Sequence, residues 1–221
     1  MASEAPVRRV RIWDLPTRMF HWLLVALIPF QWWTAEEDRL DLHIISGTAI
    51  LGLLLFRMLW GLFGSSTARF ANFIKGPAGI LAYLRGKAAD SIGHNPVGAL
   101  SVVGLLGLLS AEVVLGLLAG DEDGIESGPL SYLIEPDLSE DLADLHEDAF
   151  DVLLVLIGLH VAAIVFYALF RRKNLVGPMI SGQGKAAADG GEMEAGPAWR
   201  FLVAAILAAT ISLWVQAGAP L

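Results

Sequence analysis

Five histidines carry the ligating chemistry of this chain: His21, His43, His94, His146 and His160. The sequence contains no cysteine, which excludes disulfides, thiolate metal sites, iron–sulfur clusters and covalent haem attachment through a CxxCH motif. All of the histidines except His94 fall in long apolar stretches. Because a ligating group inside a membrane span is costly, each of these four is a candidate functional residue.

The spacing of the histidines predicts where they lie in a membrane. His146 and His160 are fourteen residues apart. In an α-helix this separation is ~21 Å along the axis and only ~40° around it, so both rings face the same side at two depths. His146 is then level with His43 near the outer surface, and His160 is level with His21 near the inner surface. The spacing therefore predicts two pairs of histidines, each pair at one depth.

Paired imidazoles at one depth suit the binding of a b-type haem. Two neutral imidazoles that face each other across a helical bundle ligate the iron from both sides without covalent attachment. We expect two haem b groups, the inner held by His21 and His160 and the outer by His43 and His146. Filled axial positions favour electron transfer over dioxygen binding. The alternative for one membrane histidine is an interhelical hydrogen bond, but four matched in depth favour ligation, and zinc would need further ligands at each level.

The composition indicates a membrane protein. Of 221 residues, 55% are hydrophobic and 17% charged, and the mean hydropathy is +0.60. Five stretches approach the ~20 residues that cross the hydrocarbon layer: residues 17–34, 42–63, 97–119, 146–170 and 199–217. The first has no small-residue cleavage site after it, so we expect a retained span and not a signal peptide. The predicted fold is an all-α membrane bundle with a four-helix core and a fifth, C-terminal transmembrane helix.

Charge divides the connecting segments between the two sides of the membrane. The formal net charge is −8, which excludes a nucleic-acid partner. Basic residues gather before the first span, between the second and third, and after the fourth, whereas the other two connectors are acidic. By the positive-inside rule the N-terminus is cytoplasmic and, with five spans, the C-terminus periplasmic. We expect a bacterial inner-membrane protein in contact with lipid, with a strongly acidic outer face.

The chain is predicted to divide into a di-haem transmembrane domain at residues 1–175, a flexible cytoplasmic linker at 176–198 and the extra helix at 199–221. The linker prediction rests on Gly and Ala richness without an apolar pattern. Residues 77–89 are expected to form an interfacial helix beside basic residues. Asn95 followed by Pro96 is typical of a helix start, so His94 is expected to be a loop residue that anchors it.

Three further charged residues lie in or beside the spans. Arg18 and Arg57 are candidates for pairing with haem propionates, although extension of the charged group to the inner surface is an equal alternative for both. Glu112, the one acid inside the third span, is a candidate proton relay for quinone chemistry. The alternative for Glu112 is a buried, neutral carboxyl group.

Several motifs together resemble the bacterial cytochrome b561 family, which includes the cytochrome b subunits of nickel–iron hydrogenases. They are WDLPTRMFHW at 13–22, LHIISG at 42–47, RMLWG at 57–61, ARF at 68–70 and GHNPVGA at 93–99. The resemblance covers about residues 10–175. It implies a four-helix core with two b haems that exchanges electrons with ubiquinone or menaquinone. The family's haem ligands fall on His21, His43, His146 and His160, in the pairing that depth alone predicts.

The leading functional hypothesis is an electron-transfer cytochrome between the quinone pool and a periplasmic redox partner, for which a lysine-rich c-type cytochrome suits the acidic outer loops. The first alternative is a superoxide oxidase that reduces ubiquinone, an activity found in the family. An anionic substrate should meet a positive funnel, whereas Arg39 is the only basic residue predicted outside. Two more alternatives are the membrane anchor of a hydrogenase-like reductase, which would co-purify with a large partner, and a haem-free transporter, which would lack a visible spectrum.

Overall fold

The computed structural model describes residues 7–87, 92–121, 126–187 and 191–220. Within these ranges the chain forms eight α-helices, one short 3-10 helix at Ser131–Leu133 and a two-stranded sheet. In chain order the strands and α-helices are β1 (Val7–Arg11), α1 (Leu15–Glu36), α2 (Leu40–Phe63), α3 (Phe70–Phe73), α4 (Pro77–Leu84), α5 (Pro96–Leu118), α6 (Pro136–Leu169), α7 (Val176–Ser181), β2 (Gln183–Ala187) and α8 (Ala198–Gln216).

The five longest helices correspond to the five predicted spans, and their ends agree within two residues except at the start of α6. Four of them, α2, α5, α6 and α8, are long and apolar enough to cross a membrane. The predicted all-α fold of membrane type is thereby confirmed. α1 is 22 residues long but is not among these four, so its crossing of the membrane stays a prediction.

α6 begins at Pro136, ten residues before the predicted start of the fourth span at His146. Pro at the first helical position and Asp137 in the first turn are favourable at a helix N-terminus. The 34 residues of α6 extend ~51 Å at ~1.5 Å per residue, well beyond the ~30 Å hydrocarbon layer. The apolar pattern therefore marked only the part of α6 that is suited to lipid, while the acidic first turns continue the same helix.

The surface of α6 is apolar beyond these first turns. Its buried residues are Ser139, Ala149 and Leu153, all within its first 18 residues. From Val152 onward the helix exposes large apolar side chains: Val152, Leu154, Val155, Leu159, Val161, Val165, Phe166 and Leu169. Apolar exposure on this scale destabilises a protein in water but suits a lipid environment.

The described chain forms two compact units. Unit 1 consists of residues 1–19, 58–103 and 159–202, and unit 2 of residues 20–57, 104–158 and 203–221. In unit 1, β1 pairs antiparallel with β2, with Val7 opposite Ala187 and Arg11 opposite Gln183. The Met193 N–H donates to the Arg11 carbonyl at 3.1 Å.

The pairing of β1 and β2 differs from the flexible linker predicted at residues 176–198. Part of that segment is α7 and β2, while residues 188–190 lie outside the described ranges. The physical reason is that β1 supplies hydrogen-bonding partners for the backbone of β2. A Gly- and Ala-rich composition does not reveal a partner strand so far away in the sequence.

Two helix starts in unit 1 are capped by side chains. The Asp14 carboxyl accepts from the Thr17 N–H at the start of α1 (2.8 Å), and from the indole N–H of Trp60 (2.8 Å). The Asn95 side chain accepts from the Gly98 N–H at 2.7 Å, which confirms the predicted cap of α5. Of the segment 77–89, predicted to be an interfacial helix, Pro77–Leu84 forms α4, and its last two residues lie outside the described ranges. Its place at the membrane surface stays a prediction.

In unit 2, small residues join α8 to α2. The Ser212 hydroxyl donates to the Thr48 carbonyl at 2.5 Å, and Ala208 is buried on the same face of α8. A Cβ at Gly52 would lie 3.2 Å from the Ser212 Cβ. Small side chains allow two helix backbones to approach closely in a membrane, so α8 from Val203 onward packs closely on α2 within unit 2.

Candidate functional site

His43 on α2 and His146 on α6 lie together in unit 2. Their ring centroids are 6.1 Å apart and their planes are at 89°. The spacing in the sequence predicts that these two histidines face each other at one depth, and the structure brings their rings together. Their role as iron ligands stays a prediction.

Each of the two rings has a backbone carbonyl beside its Nδ1 atom. His43 Nδ1 lies 3.2 Å from the Gln31 carbonyl, and His146 Nδ1 lies 3.0 Å from the Glu112 carbonyl. Because a carbonyl oxygen only accepts, Nδ1 must carry the proton in both contacts, which leaves the lone pair on Nε2. A histidine that binds a metal through one nitrogen commonly donates its other N–H in this way.

Residues in the last turns of α1 contact the His43 ring. Thr34 is fully buried, and its hydroxyl donates to the Gln31 carbonyl at 2.8 Å. The same hydroxyl oxygen lies 3.2 Å from His43 Nδ1. Gln31 and Thr34 are not among the predicted site residues. The signal in the sequence is a pair of polar residues, three apart, in an otherwise apolar stretch.

His146 is held by Glu112 on α5. The Glu112 side-chain Oε1 lies 3.2 Å from His146 Nδ1, in addition to the contact of the same nitrogen with the Glu112 carbonyl. Glu112 is only 6% exposed, and its Oε2 has no hydrogen-bond partner among the described residues. The structure thus places this acid beside a predicted iron ligand.

Gly116, one turn after Glu112 on α5, lies directly against His146. A Cβ at this position would be 2.8 Å from the His146 Cε1 atom, closer than side chains normally approach. Glycine therefore gives the imidazole room to lie on α5. Gly116 is not among the predicted site residues either. Its signal in the sequence is its position four residues after Glu112, the single acid of the third span.

Both histidines line a cavity of about 690 Å³. Its lining includes His43, His146, Gly47, Gly116 and Glu112. Sites for cofactors typically occupy ~300–1,000 Å³, so the volume is suitable for a group of cofactor size.

The distance between the rings fits a haem iron bound from both sides. Two metal–nitrogen bonds of about 2 Å each, plus roughly 1 Å from each nitrogen to its ring centre, place two coaxial imidazole centroids about 6 Å apart. The observed separation is 6.1 Å. Each metal–nitrogen bond lies in the plane of its own ring, so the angle between the two planes is free. The cavity, the ring distance and the Nδ1 contacts together fit a b-type haem.

The cavity lies in unit 2, which is rich in acidic residues. By sequence, unit 2 contains 17 acidic residues against Arg39 and Arg57, and unit 1 contains 13 basic residues against six acidic ones. The two units therefore differ in charge, unit 2 being acidic and unit 1 basic. In addition to Glu112, the cavity lining includes Arg39 and six acidic residues: Glu36, Asp38, Glu126, Glu147, Asp148 and Asp151.

The other predicted ligands have distinct surroundings. His21, in unit 2, is partly exposed and packs edge-on against Trp22 with ring centroids 5.0 Å apart. His160, in unit 1, has its Nδ1 3.3 Å from the Ser101 hydroxyl. The His94 ring packs against the rings of Trp13 and Phe73, with a centroid distance of 4.6 Å to each. These contacts support the structural role expected for His94 in its loop.

The two arginines considered for haem propionates are also placed differently. Arg18 is partly buried in unit 1, where its guanidinium donates to the Ile180 carbonyl. Arg57 is 2% exposed in unit 2. The alternative to propionate binding was that the Arg57 side chain extends to the inner surface. The structure shows this side chain buried instead.

Comparison with known proteins identifies the family. No curated protein and no solved structure matches the chain significantly. The family model of prokaryotic cytochrome b561 matches residues 12–182, which is more than half of the chain and includes all four predicted haem ligands. α8 lies beyond the matched region. The chain therefore belongs to the prokaryotic cytochrome b561 family.

Proposed function

We propose that this protein is a di-haem cytochrome that transfers electrons across the bacterial inner membrane, between ubiquinone or menaquinone and a basic redox partner on the periplasmic side. Family membership makes it a multi-pass membrane cytochrome and implies haem b and quinone-linked electron transfer. The observation that supports the proposed outer haem is the His43–His146 pair, with 6.1 Å between ring centroids and each Nδ1 beside a carbonyl.

Haem b, when bound, supplies a one-electron Fe(III)/Fe(II) couple. His43 and His146 would hold the outer haem through their Nε2 atoms. The carbonyls of Gln31 and Glu112 keep the proton of each ring on Nδ1. Gly116 leaves the space that the His146 ring needs.

The inner haem is proposed from the sequence, with His21 and His160 as its ligands. The support is their predicted common depth and the fourteen-residue spacing of His146 and His160. The Ser101 hydroxyl lies 3.3 Å from His160 Nδ1, and a hydroxyl oxygen can accept from the N–H of a ligating histidine. Arg18 and Arg57 are proposed to bind haem propionates, and Glu112 stays a candidate for proton transfer to quinone.

The partner proposal rests on charge. The exposed first turns of α6 carry seven acids: Asp137, Glu140, Asp141, Asp144, Glu147, Asp148 and Asp151. The last three belong to the lining of the cavity beside His146. A basic protein such as a lysine-rich c-type cytochrome would be steered to this surface, whereas superoxide would be repelled. The positive-inside rule then places the N-terminus in the cytoplasm and the C-terminus in the periplasm.

Haem content tests this proposal. The purified protein should show a b-type reduced-minus-oxidised spectrum and two haems per chain in a pyridine haemochrome assay. His43→Ala should remove one haem, and His43→Ala/His146→Ala should still remove only one, because both residues serve the same iron. His160→Ala should remove the other haem. His94→Ala is the matched control and should retain both.

Three results would contradict the proposal: absence of haem, a single haem in the wild type, or loss of both haems in the His43→Ala/His146→Ala protein. Superoxide-dependent reduction of ubiquinone at a rate insensitive to charge changes on α6 would instead favour the superoxide oxidase. Co-purification with a large redox enzyme would favour the anchor subunit of a reductase.

A further inference from the structure

The two histidines of the outer site have chemically different hydrogen-bond partners. His43 Nδ1 faces neutral oxygens, the Gln31 carbonyl and the Thr34 hydroxyl, each at 3.2 Å. His146 Nδ1 faces the Glu112 carbonyl at 3.0 Å and the Glu112 carboxyl oxygen Oε1 at 3.2 Å. A single residue therefore provides both the carbonyl acceptor of this N–H and a carboxyl oxygen within ion-pair distance of the same nitrogen.

Burial makes this carboxyl group unusual. Glu112 is 6% exposed inside an apolar helix, and its Oε2 lacks a hydrogen-bond partner in the part of the chain that the structure describes. A carboxylate in a membrane span needs a compensating positive charge. An Fe(III) porphyrin core with two neutral imidazole ligands carries one net positive charge, and the cavity that Glu112 lines is the one that fits it.

Hydrogen bonding at Nδ1 also changes the strength of the ligand. An acceptor on this N–H makes the imidazole more basic, and a carboxylate does so more strongly than a carbonyl. A more basic ligand and a nearby negative charge both stabilise Fe(III) relative to Fe(II). The midpoint potential of the haem is thereby lowered.

We infer that Glu112 is a positioning residue that orients His146 and sets the potential of the outer haem at a low value through its carboxylate. This inference rests on the proposed haem ligation. It concerns the iron centre itself and is distinct from proton transfer to quinone. With Thr34 and the Gln31 carbonyl on the opposite side, the outer haem has one strengthened and one ordinary histidine ligand.

A redox titration in the His160→Ala protein tests this inference, because only the outer haem should remain there. Glu112→Gln keeps an acceptor oxygen but removes the charge. At a fixed potential it should raise the reduced-to-oxidised ratio of the haem at least tenfold, which is an upward shift of ~59 mV for a one-electron couple. Glu112→Asp retains the carboxylate at a longer reach, so it should shift the potential upward by less.

Ser110→Ala is the matched control, since the Ser110 hydroxyl donates to the Leu106 carbonyl of the same helix at 2.7 Å. Its potential should equal that of the parent. A Glu112→Gln protein with full haem content and an unchanged or lower potential would overturn the inference. If Glu112→Gln does not retain haem, a parental potential in Glu112→Asp overturns it. If His160→Ala binds no haem or two, the haem assignment itself is wrong, which is a separate outcome.

Discussion

Replacement of Gly116 by Ala tests the outer site with one methyl group. The new Cβ would lie 2.8 Å from His146 Cε1 and 3.2 Å from both ring nitrogens. Carbon atoms in contact prefer ~3.5–4.0 Å, so the ring has to retreat by ~0.7–1.2 Å. Metal–ligand distances tolerate only about 0.2 Å. The imidazole therefore loses its place as a ligand unless α5 and α6 separate.

The expected result of Gly116→Ala is weaker binding of the outer haem. Disturbing the surroundings of a metal-ligating histidine typically lowers affinity ~10–100-fold, which is about 1.4–2.7 kcal/mol. Haemin titration of the purified protein, followed by absorbance and haemochrome count, measures this loss. The His160→Ala background isolates the outer haem in this measurement.

Gly107→Ala on the same helix is the matched control. A Cβ at Gly107 meets nothing within 4 Å, so this protein should bind haem as the wild type does. Because Ala favours a helix more than Gly by ~1 kcal/mol in both variants, unfolding of α5 does not explain a difference between them. Undiminished affinity for the outer haem in Gly116→Ala would refute the assignment of His146 as its ligand.

Three more perturbations follow from other contacts. Thr34→Val should keep both haems, since the Gln31 carbonyl remains beside His43, but should cost about 1 kcal/mol of stability in a denaturation assay; loss of the outer haem would contradict this. Ser212→Leu should push α8 from α2 and lower the melting temperature, whereas exposed Leu213→Ala should not; equal melting temperatures would contradict the packing. The third perturbation neutralises acids of α6 in the triple variant Asp144→Asn, Asp148→Asn and Asp151→Asn. Electron transfer to a lysine-rich c-type cytochrome should become slower and less dependent on salt concentration. An unchanged rate would contradict the proposal that this surface binds the partner.

The long helices could be predicted because apolar residues mark each of them. For α2, α5 and α8 the predicted ends agree with the structure within two residues. The start of α6 could not be found in this way, because its first turns are acidic and continue the helix outside the apolar stretch. The β1–β2 pair could not be predicted either, since each strand depends on a partner far away in the sequence.

The site was predictable to the extent that it depends on regular spacing. Fourteen residues along one helix place His146 and His160 at two depths, and this reasoning pairs His146 with His43. The contacts of Thr34 and Gly116 depend on which turns of neighbouring helices meet, and a single sequence does not contain that information. The same holds for the carboxyl contact of Glu112 with His146.

The two-stranded ribbon formed by β1 and β2 also affects the order in which parts of the protein fold during synthesis. Arg11 pairs with Gln183, so 172 residues separate the two partners. At a synthesis rate of ~5–20 residues per second, β1 leaves the ribosome ~9–34 s before its partner strand exists. During that interval α1, α2, α5 and α6 are made while β1 has no partner strand. Formation of the ribbon is therefore a late event in biogenesis, and a chain that stops before residue 183 cannot form it.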